Sequence, residues 1–264
     1  MMLRSDRARI LIIKKGHTMT SLSLIHPVAS SEIEVVRFKY KDTFVRFAID
    51  NPKDVIQSCH LSGGFYEDSE LLDLSSVIPT NARIIDVGAN VGNHTVFFSK
   101  FARAARVIVL EPNPRAISLL RKNIELNNLG RIVDTSFLGF GLGKVNGFAR
   151  YIDDQRWADG NLGAATLKAV ATSESDSSSI QIRSLDEILS GETPDLIKID
   201  VEGMEMDVIE GGCKLISQHR PVLYVEVSPR FREAFRNRMN DWGYRIERSH
   251  QRHKNVINYL CVPW

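Results

Sequence analysis

An aspartate stands directly ahead of a glycine-rich turn in Ile84-Ile85-Asp86-Val87-Gly88-Ala89-Asn90-Val91-Gly92-Asn93-His94-Thr95. Three further acids, Glu111, Asp200 and Glu226, each close a short apolar run. Acids at the carboxyl ends of buried strands are where open α/β sheets place their ligands. Gly88 and Gly92 allow a sharp backbone turn and a close approach by a ligand. Asn93 and Thr95 are expected to cap a helix whose apolar body follows as Val96, Phe97, Phe98 and Phe101. A strand, a glycine turn and a helix start together predict a nucleotide-cofactor site.

The spacing restricts which nucleotide. A dinucleotide fold wants G-x-G-x-x-G, but Asn90 stands at the second glycine position and Asn93 at the third. A wider turn after an acid suits a cofactor with an amino-acid tail and no pyrophosphate. Asp86 would then face the ammonium, directly or through water, and the turn amides the carboxylate. Glu111 is placed to accept hydrogen bonds from both ribose hydroxyls. Each acid also has a plain structural reading, as a helix cap for Asp86 and as a solvated strand end for Glu111.

Asp200 follows Leu196-Ile197-Lys198-Ile199, with Glu202 just beyond, and Glu226 follows Pro221–Val225. Two neighbouring strand-end acids can act as general base and orienting acid for a hydroxyl nucleophile, or hold Mg²⁺. The alternative has Glu202 capping a helix at Gly203 and Asp200 satisfying backbone amides. Lys198 is either a buried partner of a neighbouring carboxylate or a substrate contact. His94, at a helix N-terminus, is expected to be a neutral hydrogen-bonding side chain, since a cation is disfavoured there.

Positioning these residues requires an alternation of strands and helices. Residues 33–49 alternate on either side of Lys41-Asp42 and predict an antiparallel hairpin. Residues 54–77 read as helical, broken at Gly63-Gly64. Strands are expected at 83–87, 107–110, 132–138, 196–199 and 221–225. Helices are expected at 93–102, 114–127, 184–190, 203–218 and 229–240, with short strands near 148–152 and 180–182. Residues 244–247 and 256–262 are too close in sequence for a parallel crossover and predict an antiparallel pair. The polar stretch 153–179 reads as a mobile surface segment or a lid. The pattern is α/β: one doubly wound, mostly parallel sheet with an antiparallel end strand, preceded by a small hairpin and helix region.

The chain has 264 residues, 43% apolar and 25% charged, with a formal net charge of +2, so one large core is expected and no global pull toward nucleic acid. Residues 1–20 are expected to be a disordered basic extension, with Met19 an alternative start. Residues 21–80 are expected to pack on a catalytic domain spanning 81–264. No apolar run approaches the roughly 18 residues of a membrane span. Ile10–Ile13 is too short for a signal-peptide core. A cytoplasmic address follows by default. Cys59, Cys213 and Cys261 are scattered and read as small apolar fillers. The cations of the last third (Arg230, Arg232, Arg236, Arg238, Arg245, Arg248, Arg252 and Lys254) form a solvated face or favour an anionic substrate. Nucleic acid is not expected, because few aromatics interleave with them.

The blocks IIDVGANVGNHT (84–95), VLEPNP (109–114), DLIKIDVEGMEMDVIEGG (195–212) and RPVLYVEV (220–227), with FYEDSELL (65–72) ahead of them, resemble the FkbM family of S-adenosylmethionine-dependent methyltransferases. The resemblance covers roughly 63–228. It implies a seven-stranded class I methyltransferase (Rossmann-like) fold, with methylation of a hydroxyl on a sugar, glycan or natural product. It also implies that Asp86, Gly88, Asn90 and Gly92 hold the methionine part and Glu111 the ribose, that Asn93, His94 and Thr95 contribute through the helix start, and that Glu67 closes over the cofactor. Where that family often has Ala-Leu-Ser-Asp near the adenine, this chain has Phe140-Gly141-Leu142-Gly143, so the adenine is expected against backbone or the Phe140 ring. The fold also serves amino-group and RNA methyl transfer, but no Asn-Pro-Pro-aromatic motif follows Ile199. A cofactor-binding protein without catalysis is the alternative of a different class.

Overall fold

A computed structural model describes residues 33–151, 167–170, 179–251 and 256–264 of the chain. The expected extension at 1–20 lies outside these residues, as does most of the expected lid at 153–179.

The chain opens with a hairpin, β1 (Glu34–Tyr40) and β2 (Thr43–Ile49), paired in register from Glu34↔Ile49 to Tyr40↔Thr43 across the Lys41-Asp42 turn. Helices α1 (Val55–Leu61) and α2 (Asp68–Val77) follow. The central alternation is β3 (Arg83–Val87), α3 (Asn93–Lys100), β4 (Arg106–Leu110), α4 (Pro114–Leu126) and β5 (Val133–Asp134). Then come β6 (Gly141–Leu142), β7 (Gly147–Tyr151), β8 (Leu167–Val170), β9 (Ile180–Arg183) and α5 (Leu185–Ile188). The chain ends with β10 (Leu196–Ile199), α6 (Glu205–Gly211), α7 (Cys213–His219), β11 (Val222–Val227), α8 (Arg232–Asp241), β12 (Tyr244–His250) and β13 (Ile257–Pro263).

Seven strands form one sheet in the order β12-β13-β11-β10-β3-β4-β5. The five strands from β11 to β5 are parallel, and β13 pairs antiparallel with both β11 and β12 at one end, so β13 alone is reversed. This is the expected doubly wound class I architecture. From β3 the chain winds outward through β4 and β5, then returns to the other side of β3 as β10 and β11. The crevice at the carboxyl ends of β3 and β10 is therefore the point where the winding reverses, which is where such sheets bind ligands.

Strands β3 and β10 are almost wholly buried, so their side chains divide between two cores. Ile84, Leu196, Tyr224 and Leu260 face one core with α2, α3 and the hairpin. Ile85, Ile197, Leu223 and Val225 face the other with α6, α7 and α8. Aromatic edges fix the hairpin to the first core: the Tyr40 ring stands 5.0 Å from Phe65, and Phe65 stands 5.4 Å from Phe97. Polar side chains dock the other face of β2 on α4. The Ala48 N–H donates to Asn123 Oδ1 at 2.7 Å, and Asn123 Nδ2 donates to the Val91 carbonyl at 2.7 Å, so one buried amide completes two backbone groups. Asn123→Ala leaves both unpaired and is expected to cost about 3 kcal/mol, read as a lower urea midpoint with an unchanged slope.

Several expected boundaries change. The strand expected over 132–138 is paired only at Val133–Asp134, where it meets Val107 and Ile108; the chain turns away from Thr135. The helix expected over 203–218 starts at Glu205 and is divided at Gly212 into α6 and α7. Ile180-Gln181-Ile182 does not join the main sheet. It belongs to a separate four-stranded sheet, β6-β9-β7-β8, whose Leu167–Val170 strand lies inside the segment expected to be loop. Among the described residues no helix is long and apolar enough to cross a membrane. Cys59, Cys213 and Cys261 are free thiols, and only Cys261 is buried.

Candidate active site

An open cleft of about 700 Å³, part of it open to solvent, lies at the carboxyl ends of β3, β4 and β10. Of the sequence-predicted site residues, Gly88, Asn90, Glu111, Phe140, Asp200 and Glu202 line it together. Leu142 and Tyr151 complete its apolar wall with Leu167, and Met204 closes the far side. Sequence reading named none of these four side chains as site residues, although the short strand expected near 148–152 takes in Tyr151 and the stretch expected near the adenine takes in Leu142.

Glu111 is fixed by its own neighbourhood. Its Oε2 accepts the Asn90 N–H at 2.9 Å and its Oε1 accepts the Asn113 N–H at 2.8 Å. Asn90 reaches that position through a left-handed backbone, φ 49°. Burial pushes the Glu111 carboxyl up to about 7, against the two backbone hydrogen bonds that pull it down. Each oxygen keeps a second lone pair for a donor. Asn90 Oδ1 is buried in the same wall without a hydrogen-bond partner among the described residues.

Asp86, Gly92, Asn93, His94, Thr95, Glu67 and Glu226 do not line the cleft. Asp86 is fully buried beneath it. Lys198 sits opposite Asp86 in the β3–β10 ladder, with its Nζ 3.3 Å from Asp86 Oδ1 and 3.3 Å from Asp200 Oδ2. The same Nζ donates to the Gly88 carbonyl at 2.8 Å. Thr95 Oγ1 donates to Asp86 Oδ2 at 2.6 Å. Of the two readings open for Lys198, the buried partner of neighbouring carboxylates is the one seen. Burial alone would lower its pKa, but Asp200, Asp86 and Glu67 prevail and raise it above the usual lysine range.

The expected capping by Asn93 and Thr95 does not occur. Gly92 begins α3 with φ 89° and no side-chain cap, because the turn arrives in a left-handed conformation. The Asn93 amide points away from the cleft, accepting the Tyr66 N–H at 3.0 Å and donating to the Tyr66 carbonyl at 2.9 Å. It ties the start of α3 to the segment ahead of α2. At that segment's end Glu67 has φ 60°, accepts from Asn258 Nδ2 at 2.8 Å and lies 3.2 Å from His94 Nε2. Burial works to raise the Glu67 carboxyl, yet His94 and Lys198 hold it below the usual glutamate range. The expected cap of Gly203 by Glu202 is also replaced: the Gly203 N–H donates to Glu205 Oε1 at 3.2 Å, since the helix starts later than expected.

Glu226, on the next strand, hydrogen-bonds Asp200. Burial, then Asp200, Glu202 and Glu67 around it, drive its carboxyl far above the glutamate range. At neutral pH it keeps its proton and donates to Asp200. The two side chains are therefore joined by a hydrogen bond, with Lys198 3.3 Å from Asp200 Oδ2 as the neighbouring cation. No group of three or more His, Cys, Asp or Glu suited to a metal ion occurs among the described residues.

Four cations of the last third are engaged, while Arg232 Nε and Nη2 are buried with no hydrogen-bond partner among the described residues. Arg238 pairs with Glu210, Arg245 with Glu247 and Arg248 with Asp73, while Arg230 donates to the Gly203 carbonyl at 2.9 Å. Arg252 and Lys254 lie outside the described residues.

Residues 86–246 match the Methyltransferase FkbM domain. The chain belongs to the FkbM methyltransferase family. Among curated relatives, it is 28% identical over 152 residues to Methyltransferase 1 of Beauveria bassiana, covering 50% of this chain and 59% of that one. It is 29% identical over 170 residues to the AMB antimetabolite synthetase AmbE of Pseudomonas aeruginosa, covering 51% of this chain and 8% of that protein. The chain thus spans less than two thirds of these relatives. Among solved structures it is similar to Methyltransferase FkbM from Methylobacillus flagellatus, with 20% identity, TM-score 0.47, and coverage of 68% of this chain and 43% of that one. It is also similar to an M. jannaschii tRNA m1G37 methyltransferase, with 12% identity, TM-score 0.48, and coverage of 87% and 56%.

Proposed function

We propose that this FkbM-family chain transfers a methyl group from S-adenosylmethionine to a hydroxyl of a sugar, glycan or other natural product. The observation that carries this reading is one cleft bounded by the Gly88 turn and Glu111 on one side and by Asp200 and Glu202 on the other. Its residues fit the cofactor. Glu111 has free lone pairs for the ribose hydroxyls, the Phe140–Leu142–Tyr151–Leu167 wall suits a purine, and the orphaned Asn90 Oδ1 can take a donor from the amino-acid end.

When bound, the cofactor supplies an activated methyl group for in-line displacement. The chain supplies alignment and a place for the proton. Asp200, 39% exposed, is the carboxylate that an acceptor hydroxyl can reach, and it takes that proton. Glu226 and Lys198 act through Asp200 as positioning residues, the first by donating to it and the second by standing 3.3 Å away. Asp200→Asn is expected to lower kcat about 10²–10³-fold with little change in cofactor affinity. Full activity of that variant at saturating acceptor removes the base assignment. With four of the tail arginines engaged and carboxylates lining the cleft, a neutral acceptor is favoured over the anionic one the tail alone suggests.

Glu111 makes cofactor binding depend on pH. Only its carboxylate can accept from two hydroxyls, so affinity is expected to fall as pH drops through about 7, by up to roughly tenfold per unit below it. The folded chain binds this proton more readily than the unfolded chain, whose glutamate titrates near 4.5. For this group, stability therefore rises as pH falls toward that value, so weaker binding there is not unfolding. Calorimetric titration with S-adenosylhomocysteine from about pH 8 to 6 measures it; Glu111→Gln is expected to bind weakly without that dependence.

A further inference from the structure

Asp200, Val201, Glu202 and Met204, which form one wall of the cleft, belong to a single turn at the exit of β10. The Met204 N–H closes the turn by donating to the Val201 carbonyl at 3.2 Å. Gly203 lies within it, and both of its backbone polar groups are held by side chains. Its N–H donates to Glu205 Oε1 at 3.2 Å, and its carbonyl accepts from Arg230 Nη2 at 2.9 Å. Gly203 has φ +82°, and a Cβ there would lie 2.5 Å from Arg230 Nη2, so the guanidinium fills the space a side chain would need. Glu205 carries the hold across to the next strand. It is 1% exposed, and the same Oε1 accepts from Ser228 Oγ at 2.8 Å. Its Oε2 has no hydrogen-bond partner among the described residues, so one oxygen makes both contacts. Ser228 directly follows β11, and Arg230 lies two residues further on. The exits of β10 and β11 are thus cross-linked twice at Gly203, beside the hydrogen-bonded Asp200 and Glu226.

We propose that Glu205, Ser228 and Arg230 are positioning residues of the cofactor cleft, which through Gly203 fix the wall that Asp200, Val201, Glu202 and Met204 present to the cofactor. The inference rests on the cofactor reading given above and adds to it residues outside the cleft that decide its shape. One strap runs from Ser228 through Glu205 to the Gly203 N–H, and the other from Arg230 to the Gly203 carbonyl. The second is charge-assisted and stronger than a bond between two neutral groups. Because both straps grip one residue, either alone keeps the turn in place, and the loss of both frees it. The opposite wall is held separately, by the bonds of Glu111 to the Asn90 and Asn113 N–H groups. Loss of the straps therefore displaces one wall of a cleft whose other wall stays formed.

Calorimetric titration of the full chain with S-adenosylhomocysteine as the probe tests this. Ser228→Ala and Arg230→Ala are each expected to weaken binding about threefold, and the double variant about thirtyfold, more than the product of the two. Ser228→Thr keeps the hydroxyl and Glu205→Gln keeps the accepting oxygen, and both are expected to bind within about twofold of the parent. Thermal unfolding of the double variant within about 3 °C of the parent shows that the fold is intact. A double variant that binds within about twofold of the parent, or that loses no more than the product of the singles, overturns the positioning role and leaves the cofactor reading in place. So does a loss that Ser228→Thr fails to restore, or one that follows a general fall in unfolding temperature. A parent chain that does not bind S-adenosylhomocysteine overturns both.

Discussion

Lys198→Met is expected to lower the stability of the fold by about 3–5 kcal/mol, the usual cost of removing one partner from a buried ion pair. Asp86 is fully buried, and Lys198 is its cation. Without it the carboxylate keeps, among the described residues, the Thr95 hydroxyl, and the Gly88 carbonyl loses a donor held at 2.8 Å. Methionine fills nearly the same volume, so little of the effect comes from a cavity. The folded-state pKa of Lys198 is raised above 10.5, so its stabilising contribution is fully present below that pH and is lost only as pH rises through the higher value. Urea unfolding at pH 7 measures the loss. The double variant Asp86→Asn with Lys198→Met removes both charges and is expected to recover most of it. A single variant within about 1 kcal/mol of the parent would show that the pair does not hold the strand ends together.

Gly88→Ala is expected to damage the site more than any other change of one methyl group. A Cβ at Gly88 would lie 1.9 Å from the Asp200 backbone oxygen, and the residue sits at φ +73°, where L side chains are strained. The contact is with backbone, so no rotamer change relieves it. The exit of β10 must move, and Asp200 moves with it. A shift of about 1 Å there is expected to lower methyl transfer about 10²-fold, with weaker cofactor binding. Gly64→Ala is the control, because its added Cβ meets no atom within 4 Å. Its activity is expected to match the parent, with stability within about 0.5 kcal/mol. Kinetics of both variants, with thermal unfolding to confirm the fold, read the difference.

Much of this was legible along the chain because the signals are local. The hairpin at 33–49, strands β3 and β4 and helix α4 follow from periodicity and breakers within a window of about ten residues. Helix α3 was legible as an element although its cap was not, since Val96, Phe97 and Phe98 specify a buried helix whatever begins it. The truncation of β5 was not visible: Ile132 to Leu138 is apolar enough for a longer strand, and only the path of the chain from Thr135 ends the pairing. The break at Gly212 was equally hidden, because a lone glycine is tolerated within many helices.

The sequence by itself determined the strand-end acids, the glycine turn and the family, because each is a property of neighbouring residues. Tertiary structure decided which acids act together. Asp86 and Lys198 lie 112 positions apart and meet only because β3 and β10 are adjacent and in register. That contact takes Asp86 out of the cleft and makes it a counter-charge of Lys198, the cation it shares with Asp200. Asn93 and Glu67 were likewise drawn inward, toward Tyr66, His94 and Asn258, since burial leaves each polar group to find a partner. Tyr151 and Leu167 entered the wall from a second sheet, whose short strands near 148–152 and 180–182 show locally but whose pairing does not. Residue type names the chemistry available, and the register of the sheet selects which of it faces the ligand.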